Sequence, residues 1–337
     1  MSMNSSRVLV IHNDPVLPPD HPDAYSEHEI LETVGHVERV LGEAGYAVSP
    51  LAIGRDPGSL FQAIRDDRPD VVFNLFEGLA DWGDTEIYCI GLLEWLRVPF
   101  TGCPLKATCL SRDKPLTKHL LRAAGLPTAN SFVVSQGRAP PCRLRWPVIV
   151  KPALQDASVG LDQGSVVTNQ AALDERVALM LERYGPPVLV EEYIAGREFC
   201  VGLFERPELA FLPIAEYEFL AGEDRGVWPI ITYDGKWKAD SSDYDMSPMR
   251  FPAQNVSPEL ARRLGEITEQ TYRLFGCRDY ARLDFRVNAA GEPFVLEVNS
   301  NPGLNPEAGF ALGLESMGFP WASLIVQLVK NALARSP

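Results

Sequence analysis

The segment Tyr280–Gly303, YARLDFRVNAAGEPFVLEVNSNPG, carries the densest potential chemistry in the chain. Its halves RLDFRV and FVLEVN alternate polar and apolar residues as half-buried strands do. The turn residues Asn288–Gly291 between them predict a hairpin. Arg282 and Asp284 then share one face of the first strand, with Leu283 and Phe285 opposite. Glu297 and Asn299 share a face of the second, with Leu296 and Val298 opposite. Residues opposed across a hairpin lie on one side, so a single surface gathers Arg, Asp, Glu and Asn. The oxygen donors Asp284, Glu297 and Asn299, with no His or Cys among them, form a hard-cation set suited to Mg²⁺ or Mn²⁺. Such a cation commonly arrives with phosphates, which points to a nucleotide enzyme. The alternative is an ordinary hairpin with a solvated face, but such a face rarely omits lysine and then ends in Asn-Ser-Asn-Pro-Gly.

A second group of residues suits phosphate. Lys151 closes the apolar run Val148-Ile149-Val150 and precedes Pro152 and a small-residue loop, Ala157-Ser158-Val159-Gly160. A lysine at a strand end beside exposed backbone N–H groups makes a phosphate clamp. The loop is not a Walker motif, because GxxxxGK[ST] occurs nowhere, and there is no GxGxxG. Further on, Val188–Glu191 runs through Glu192, Tyr193 and Ile194 into a new start at Gly196-Arg197-Glu198-Phe199. Backbone groups of such a connector can bond a base edge, and a carboxylate just beyond can bond ribose hydroxyls. Taken singly, Lys114, Lys151 and Lys236 also read as surface lysines, and Glu191 and Glu192 as a solvated strand end.

The elements that must position these residues follow from periodicity and breakers. Strands are predicted at Val8–Ile11, Val71–Leu75, Val148–Lys151 and Val188–Glu191. Helices are predicted over Glu29–Ala44, Ile87–Leu96, Lys114–Ala124, Ala171–Tyr184, Pro258–Phe275 and Trp321–Ala334. The proline-rich stretch Asn13–Ser26 is long for a loop in a compact domain, which favours a functional role. Gly202–Gln254 shows no regular pattern. Strand–helix alternation over the first hundred residues makes the fold class α/β, with an N-terminal parallel sheet.

Composition narrows the function classes. The 337 residues suit two or three domains, and 46% hydrophobic with 23% charged residues is ordinary for a soluble globular chain. A net charge of −14 argues against nucleic acid or an anionic membrane as partner. No apolar run approaches membrane-spanning length. The opening MSMNSSRVLVIHND has no signal-peptide pattern, and six scattered cysteines without a CxxC predict reduced thiols in a cytoplasm. The five histidines form no metal or triad pattern, and no GxSxG or HExxH supports a hydrolase.

In this order the motifs resemble those of the ATP-grasp enzymes, and among them the D-alanine–D-alanine ligase family. The resemblance rests on SRDKPLTKHLLRAAGLPT around Lys114, PVIVKPALQDASVG around Lys151, VLVEEYIAGREF around Glu191, YDGKW at Lys236 and the RLDF…LEVNSNPG hairpin. It implies an ATP-grasp fold in which two subdomains sandwich ATP behind an N-terminal substrate domain. The corresponding divisions are 1–106, 107–195 and 196–337. It implies phosphate contacts from Lys114, Lys151, Lys236 and the Ser158 loop, an adenine bordered by Glu191 and Ile194, and a ribose held by Glu198. It further implies two Mg²⁺ on Asp284, Glu297 and Asn299, with Glu297 bridging, and an oxyanion bound by Arg282 and the Gly303 N–H. The reaction implied is ATP-driven joining of a carboxylate and an amine through an acylphosphate, on amino-acid-like substrates, in an enzyme whose relatives are often homodimers. A ligase for other amino acids, or a non-catalytic ATP-binding module, is the alternative.

The chain departs from the family pattern at the substrate end. The family's Ser-Ser pair in the phosphate loop is Ala157-Ser158, its Tyr after the third Lys is Trp237, its His-Gly is Glu77-Gly78, and a Ser beyond the metal motif is Ala308. Loss of the hydroxyls predicts loss of the lid's hydrogen-bonded contact. Glu27 or Glu29 could hold a substrate amine, although a solvated first helical turn is the simpler reading. Glu77, Asp81, Asp84 and Glu86 add acidity near the expected cleft, which suits a cationic or amine-bearing substrate.

Overall fold

A computed structural model describes residues 5–18, 28–79, 82–222, 226–238 and 240–335. Among these residues the strands form three sheets. The first is parallel and ordered β2-β1-β3, from β1 (Arg7–Asn13), β2 (Ala47–Ile53) and β3 (Val71–Leu75). β1 and β3 are apolar runs buried almost throughout, as strands covered on both faces must be. β2 is an exposed edge that carries Pro50, and its weak pattern hid it from periodicity. Helices α1 (Ile30–Glu43), α2 (Gly58–Asp67) and α3 (Thr85–Trp95) complete this layer. Ile30, Val34, Val37 and Leu41 form the buried stripe of α1. The helices predicted at Glu29–Ala44 and Ile87–Leu96 form within two residues of those bounds. Of the Asn13–Ser26 loop, residues 19–26 lie outside the described residues, as do Glu27 and Asp81.

Two short helices, α4 (Leu105–Arg112) and α5 (Lys114–Ala123), lead to the second sheet. Asp113 caps α5, its side chain accepting from the Leu116 N–H at 2.9 Å, and Pro115 occupies the first turn. That start places Lys114 and Lys118 four residues apart on one helix face. The antiparallel second sheet is ordered β4-β7-β5-β6, from β4 (Ser131–Val134), β5 (Val148–Pro152), β6 (Val166–Val167) and β7 (Val188–Glu192). Helix α6 (Gln170–Tyr184) covers it and is capped by the Asn169 side chain.

The third sheet runs β11-β10-β8-β12-β13 with β9 beside β8. Its strands are β8 (Arg197–Arg206), β9 (Glu208–Phe211), β10 (Ala215–Tyr217), β11 (Met249–Arg250), β12 (Tyr280–Val287) and β13 (Pro293–Asn299). Helix α9 (Pro258–Phe275) backs it, with Ser257 capping one end and the left-handed Gly276 the other. The stretch read as irregular, Gly202–Gln254, therefore contains the end of β8, three further strands, and helices α7 (Tyr233–Trp237) and α8 (Ser242–Asp245). Elements of two to five residues are too short to show a period.

The predicted hairpin is β12–β13, with Arg282 opposite Asn299 and Asp284 opposite Glu297. A bulge follows, because Phe285 pairs with Val295 and leaves Leu296 as the extra residue. Leu296 is therefore half-buried and not a core partner of Val298. Val295 and Val298 fill the core face instead.

One hydrophobic core joins the first sheet to the end of the chain. Val8, Val10 and Phe73 pack with Phe310 of α10 (Gly309–Ser316) and with Leu324 and Leu328 of α11 (Trp321–Ala334). All six cysteines are free thiols. Among the described residues no single helix is long and apolar enough to cross a membrane.

Candidate active site

The polar face of β12–β13 forms as the alternation requires. Arg282 donates to both oxygens of Asp284, Nε to Oδ1 at 2.7 Å and Nη2 to Oδ2 at 2.8 Å. Burial would lower the Arg282 pKa and raise that of Asp284, yet each holds its partner charged: arginine is shifted up and aspartate down. The arginine read as an oxyanion donor is thus also the counter-ion of an expected metal ligand. Asn299 Oδ1 accepts from the Asn301 N–H at 2.9 Å, and a carbonyl oxygen with two lone pairs keeps one for a cation. Two carboxylates in register, with an amide oxygen next on the same face, fit a hard divalent cation. The Asn-Ser-Asn turn is braced from behind. Tyr280 donates to Asn301 Oδ1 at 2.9 Å, Asn301 Nδ2 donates to Glu86 at 3.1 Å, and Ser300 bonds Ser111 at 2.8 Å.

Beneath the expected phosphate site lies an ion triad. Glu191 is 1% exposed, and its oxygens lie 2.5 Å from Lys118 Nζ and 2.5 Å from Lys151 Nζ. Burial would raise its pKa, but the two ammonium groups hold it down to about 2. The Lys118 pKa is lowered by its own burial, which Glu191 only partly offsets. Glu191, expected to border adenine, fixes the two lysines with its carboxylate. Lys118 escaped the sequence reading, although its four-residue spacing from Lys114 on a predicted helix was a usable signal.

Lys114 Nζ bonds Asp156 at 2.7 Å and the Gln155 carbonyl at 2.5 Å. Asp156 also lies 3.1 Å from Arg112, which pairs with Glu86 at 2.6 Å. Burial lowers the Lys114 pKa, but Asp156 and then Glu297 outweigh it, and the net shift is upward. The phosphate loop is tightly folded. Ala157 and Ser158 have φ of 56° and 63°, and a Cβ on Gly160 would meet Pro152 and Tyr184 at 2.8 and 2.9 Å.

Lys236 on α7 lies among Arg282, Glu297, Asp284 and Glu29. Its pKa is lowered by burial and Arg282 against the pull of the carboxylates. The next residue remakes the lid contact: Trp237 Nε1 donates to the Ala157 carbonyl at 3.0 Å. The expected loss of that contact is therefore corrected, because an indole N–H and a backbone carbonyl replace two hydroxyls.

At the end expected to take the base, Ile194 is buried, and Glu198 pairs with Arg286 at 3.1 Å. Gly303 is exposed, with open space around its Cα. Glu29 is half-buried, and burial and the charge of Glu32 push its pKa up, which differs from a solvated helical turn. Glu77 keeps an exposed side, while enclosure of its carboxyl and the charges of Glu86 and Glu29 push its pKa up to about 7. Glu86 is spoken for by Arg112 and Asn301, so it adds no free acidity to the cleft.

With Lys151 on the second sheet, Lys114 and Lys118 on α5, Lys236 on α7 and the carboxylates on the third sheet, the chain is an ATP-dependent ligase of the ATP-grasp class by its relatives. The D-ala D-ala ligase C-terminus family model matches residues 120–330. The chain belongs to the D-alanine–D-alanine ligase family. It is 35% identical to an uncharacterised protein of Sinorhizobium fredii, covering 91% of this chain and 88% of the relative. It is 30% identical to the D-alanine–D-alanine ligase of the same species, over 86% and 88% of the two chains. In fold it is similar to the crystal structure of the D-alanine–D-alanine ligase from Bacillus anthracis complexed with ATP, with a TM-score of 0.76, 19% identity and 98% of both chains covered.

Removing Glu191 leaves two buried lysines without a counter-charge, so Glu191→Gln is expected to cost about 3–5 kcal/mol in denaturant unfolding. The acid limb offers a second check. The folded pKa near 2 lies below the ordinary 4.5, so this stabilisation is complete above pH 4.5 and lost as pH falls towards 2. Glu191→Gln should flatten the stability profile in that window.

Proposed function

We propose that this chain joins the carboxylate of one amino-acid-like substrate to the amine of another in the cytoplasm, with ATP supplying the driving force. The observation that carries this reading is the single face holding Arg282, Asp284, Glu297 and Asn299 within electrostatic reach of Lys114 and Lys236. A carboxylate oxygen of the first substrate attacks the γ-phosphorus, ADP leaves, and the amine of the second substrate attacks the acylphosphate carbon. Phosphate then departs and the amine loses its proton. Lys114, Lys151 and Lys236 hold phosphoryl oxygens, with Lys151 fixed by Glu191. Ser158 and its neighbours surround the phosphates with backbone N–H groups. Ile194 and the connector border the base, and Glu198 accepts from the ribose. Arg282 and the Gly303 N–H bind the oxyanion of the tetrahedral intermediate. Asp284, Glu297 and Asn299 would hold Mg²⁺ or Mn²⁺, which would supply charge neutralisation during phosphoryl transfer.

Glu29 is the residue we assign to the substrate amine, because it is half-buried and within electrostatic reach of Lys236. A second reading has the same chemistry acting on substrates other than D-alanine. It is favoured by the higher identity to the uncharacterised Sinorhizobium fredii protein than to that species' D-alanine–D-alanine ligase, and by Glu77 beside Glu29. The chain is proposed to work as a homodimer through the exposed aromatic residues Trp82, Tyr88 and Trp95 on and before α3.

ATP-dependent phosphate release should be measured against D- and L-amino acids, singly and in pairs, with products identified by mass. A dipeptide from some pair supports the ligase reading, and D-alanyl-D-alanine from D-alanine alone removes the second reading. ATP bound without product from any pair would favour a non-catalytic module. Arg282→Ala should lower turnover about 10²–10³-fold with nucleotide affinity largely kept. Unchanged turnover would remove Arg282 from the mechanism.

A further inference from the structure

Arg286 stands two residues beyond Asp284 on the polar face of β12, and it is only 3% exposed. Its guanidinium is bonded on every side. Nε donates to the Ile194 carbonyl at 2.9 Å, and Nη1 to Glu198 Oε2 at 3.1 Å and the Pro229 carbonyl at 2.8 Å. Nη2 donates to the Tyr193 hydroxyl at 3.2 Å, and Cζ lies 5.3 Å from the centre of that ring and 5.5 Å from that of Phe219. The hydrogen-bond partners belong to three pieces of chain. Tyr193 and Ile194 form the connector after β7, Glu198 begins β8, and Pro229 leads into the lid helix that carries Lys236.

The backbone is built for this crossing. Gly196 has φ of +145°, and a Cβ there would lie 2.0 Å from the Val287 carbonyl oxygen, so the connector rests directly on the end of β12. An apolar side chain could fill the place of Arg286 without desolvating a charge. What arginine adds is direction. It draws one oxygen of Glu198 to itself and leaves the other for a ligand. Burial raises the Glu198 pKa, and Arg286 opposes that rise. Pro229 and Phe219 also line a cavity of about 470 Å³, so the guanidinium stands one layer behind open space.

We infer that Arg286 is a positioning residue for the nucleotide: it orients Glu198 as an acceptor for the ribose hydroxyls and ties the base-flanking connector to the segment entering the lid. The inference rests on the proposed nucleotide site, and its signature is discrimination between ribose and a sugar without hydroxyls. Calorimetry of the full chain with Mg-ATP and Mg-2′,3′-dideoxy-ATP reads this without knowledge of the amino-acid substrates. The wild-type chain should bind ATP at least about tenfold more tightly than the dideoxy nucleotide, as expected for hydrogen bonds to a charged acceptor. Arg286→Met should bring that ratio to within about twofold of unity, as should Glu198→Gln, which removes the acceptor charge itself. If thermal unfolding shows that Arg286→Met is not folded, Arg286→Lys replaces it; it keeps the charge but not the fork of donors, and the ratio should fall to an intermediate value. Equal weakening of both nucleotides with the ratio kept would make Arg286 merely structural and overturn the inference. So would wild-type protein that binds ATP but does not discriminate. A wild-type chain that binds neither nucleotide would instead overturn the nucleotide site and the ligase reading with it.

Discussion

The buried carboxylate of Glu191 is the contact on which the rest of the site depends. It draws Lys118 from α5 and Lys151 from β5 onto β7, so one ion cluster joins a connecting helix to two neighbouring strands. Three charges out of water are tolerated only because each is paired; an unpaired one costs several kcal/mol. The same cluster sets where the Lys151 ammonium can lie. The order of causes is clear: strand pairing sets Glu191 opposite Ile149, two residues from Lys151 on the same face, and the carboxylate then holds that lysine in place.

A second layer of polar contacts links the pieces of the site. Asp156 in the loop after β5 holds Lys114 and Arg112, Arg112 holds Glu86, and Asn301 reaches Glu86 from the turn after β13. The lid meets the same loop through the Trp237 indole and the Ala157 carbonyl. Where the family pattern uses hydroxyl groups, this chain uses a backbone acceptor, which no change of side chain at 157 removes. The lid contact is kept while the chemistry facing the substrate changes.

Much of this was legible in the sequence, and for physical reasons. The two-residue period of RLDFRV and FVLEVN predicted the facing of Arg282, Asp284, Glu297 and Asn299, and the strand register agrees. Six of the longer helices were readable from their spacing and stop signals, but α2, which buries only Leu60, and the eight-residue α4 and α10 were not. What escaped was short or non-periodic: the edge strand β2, the two- to four-residue strands after β8, and the small lid helices. The bulge at Leu296 escaped because one added residue leaves the local alternation intact up to the point where it breaks. Glu191 shows the deeper limit. Its position on a strand was readable, but its partner Lys118 lies 73 residues away in sequence, and only the fold brings them together. Arg286 was readable by alternation, yet nothing local indicates that its partners come from three separate segments.

The central claim is that a carboxylate is activated by phosphoryl transfer and then captured by an amine. It is tested most directly by following oxygen. A first substrate whose carboxylate is labelled with ¹⁸O should give inorganic phosphate carrying one labelled oxygen per turnover, because the acylphosphate breaks between carbon and that oxygen. Phosphate free of label, with ATP still consumed, would mean that water and not the carboxylate received the phosphoryl group, and would contradict the account.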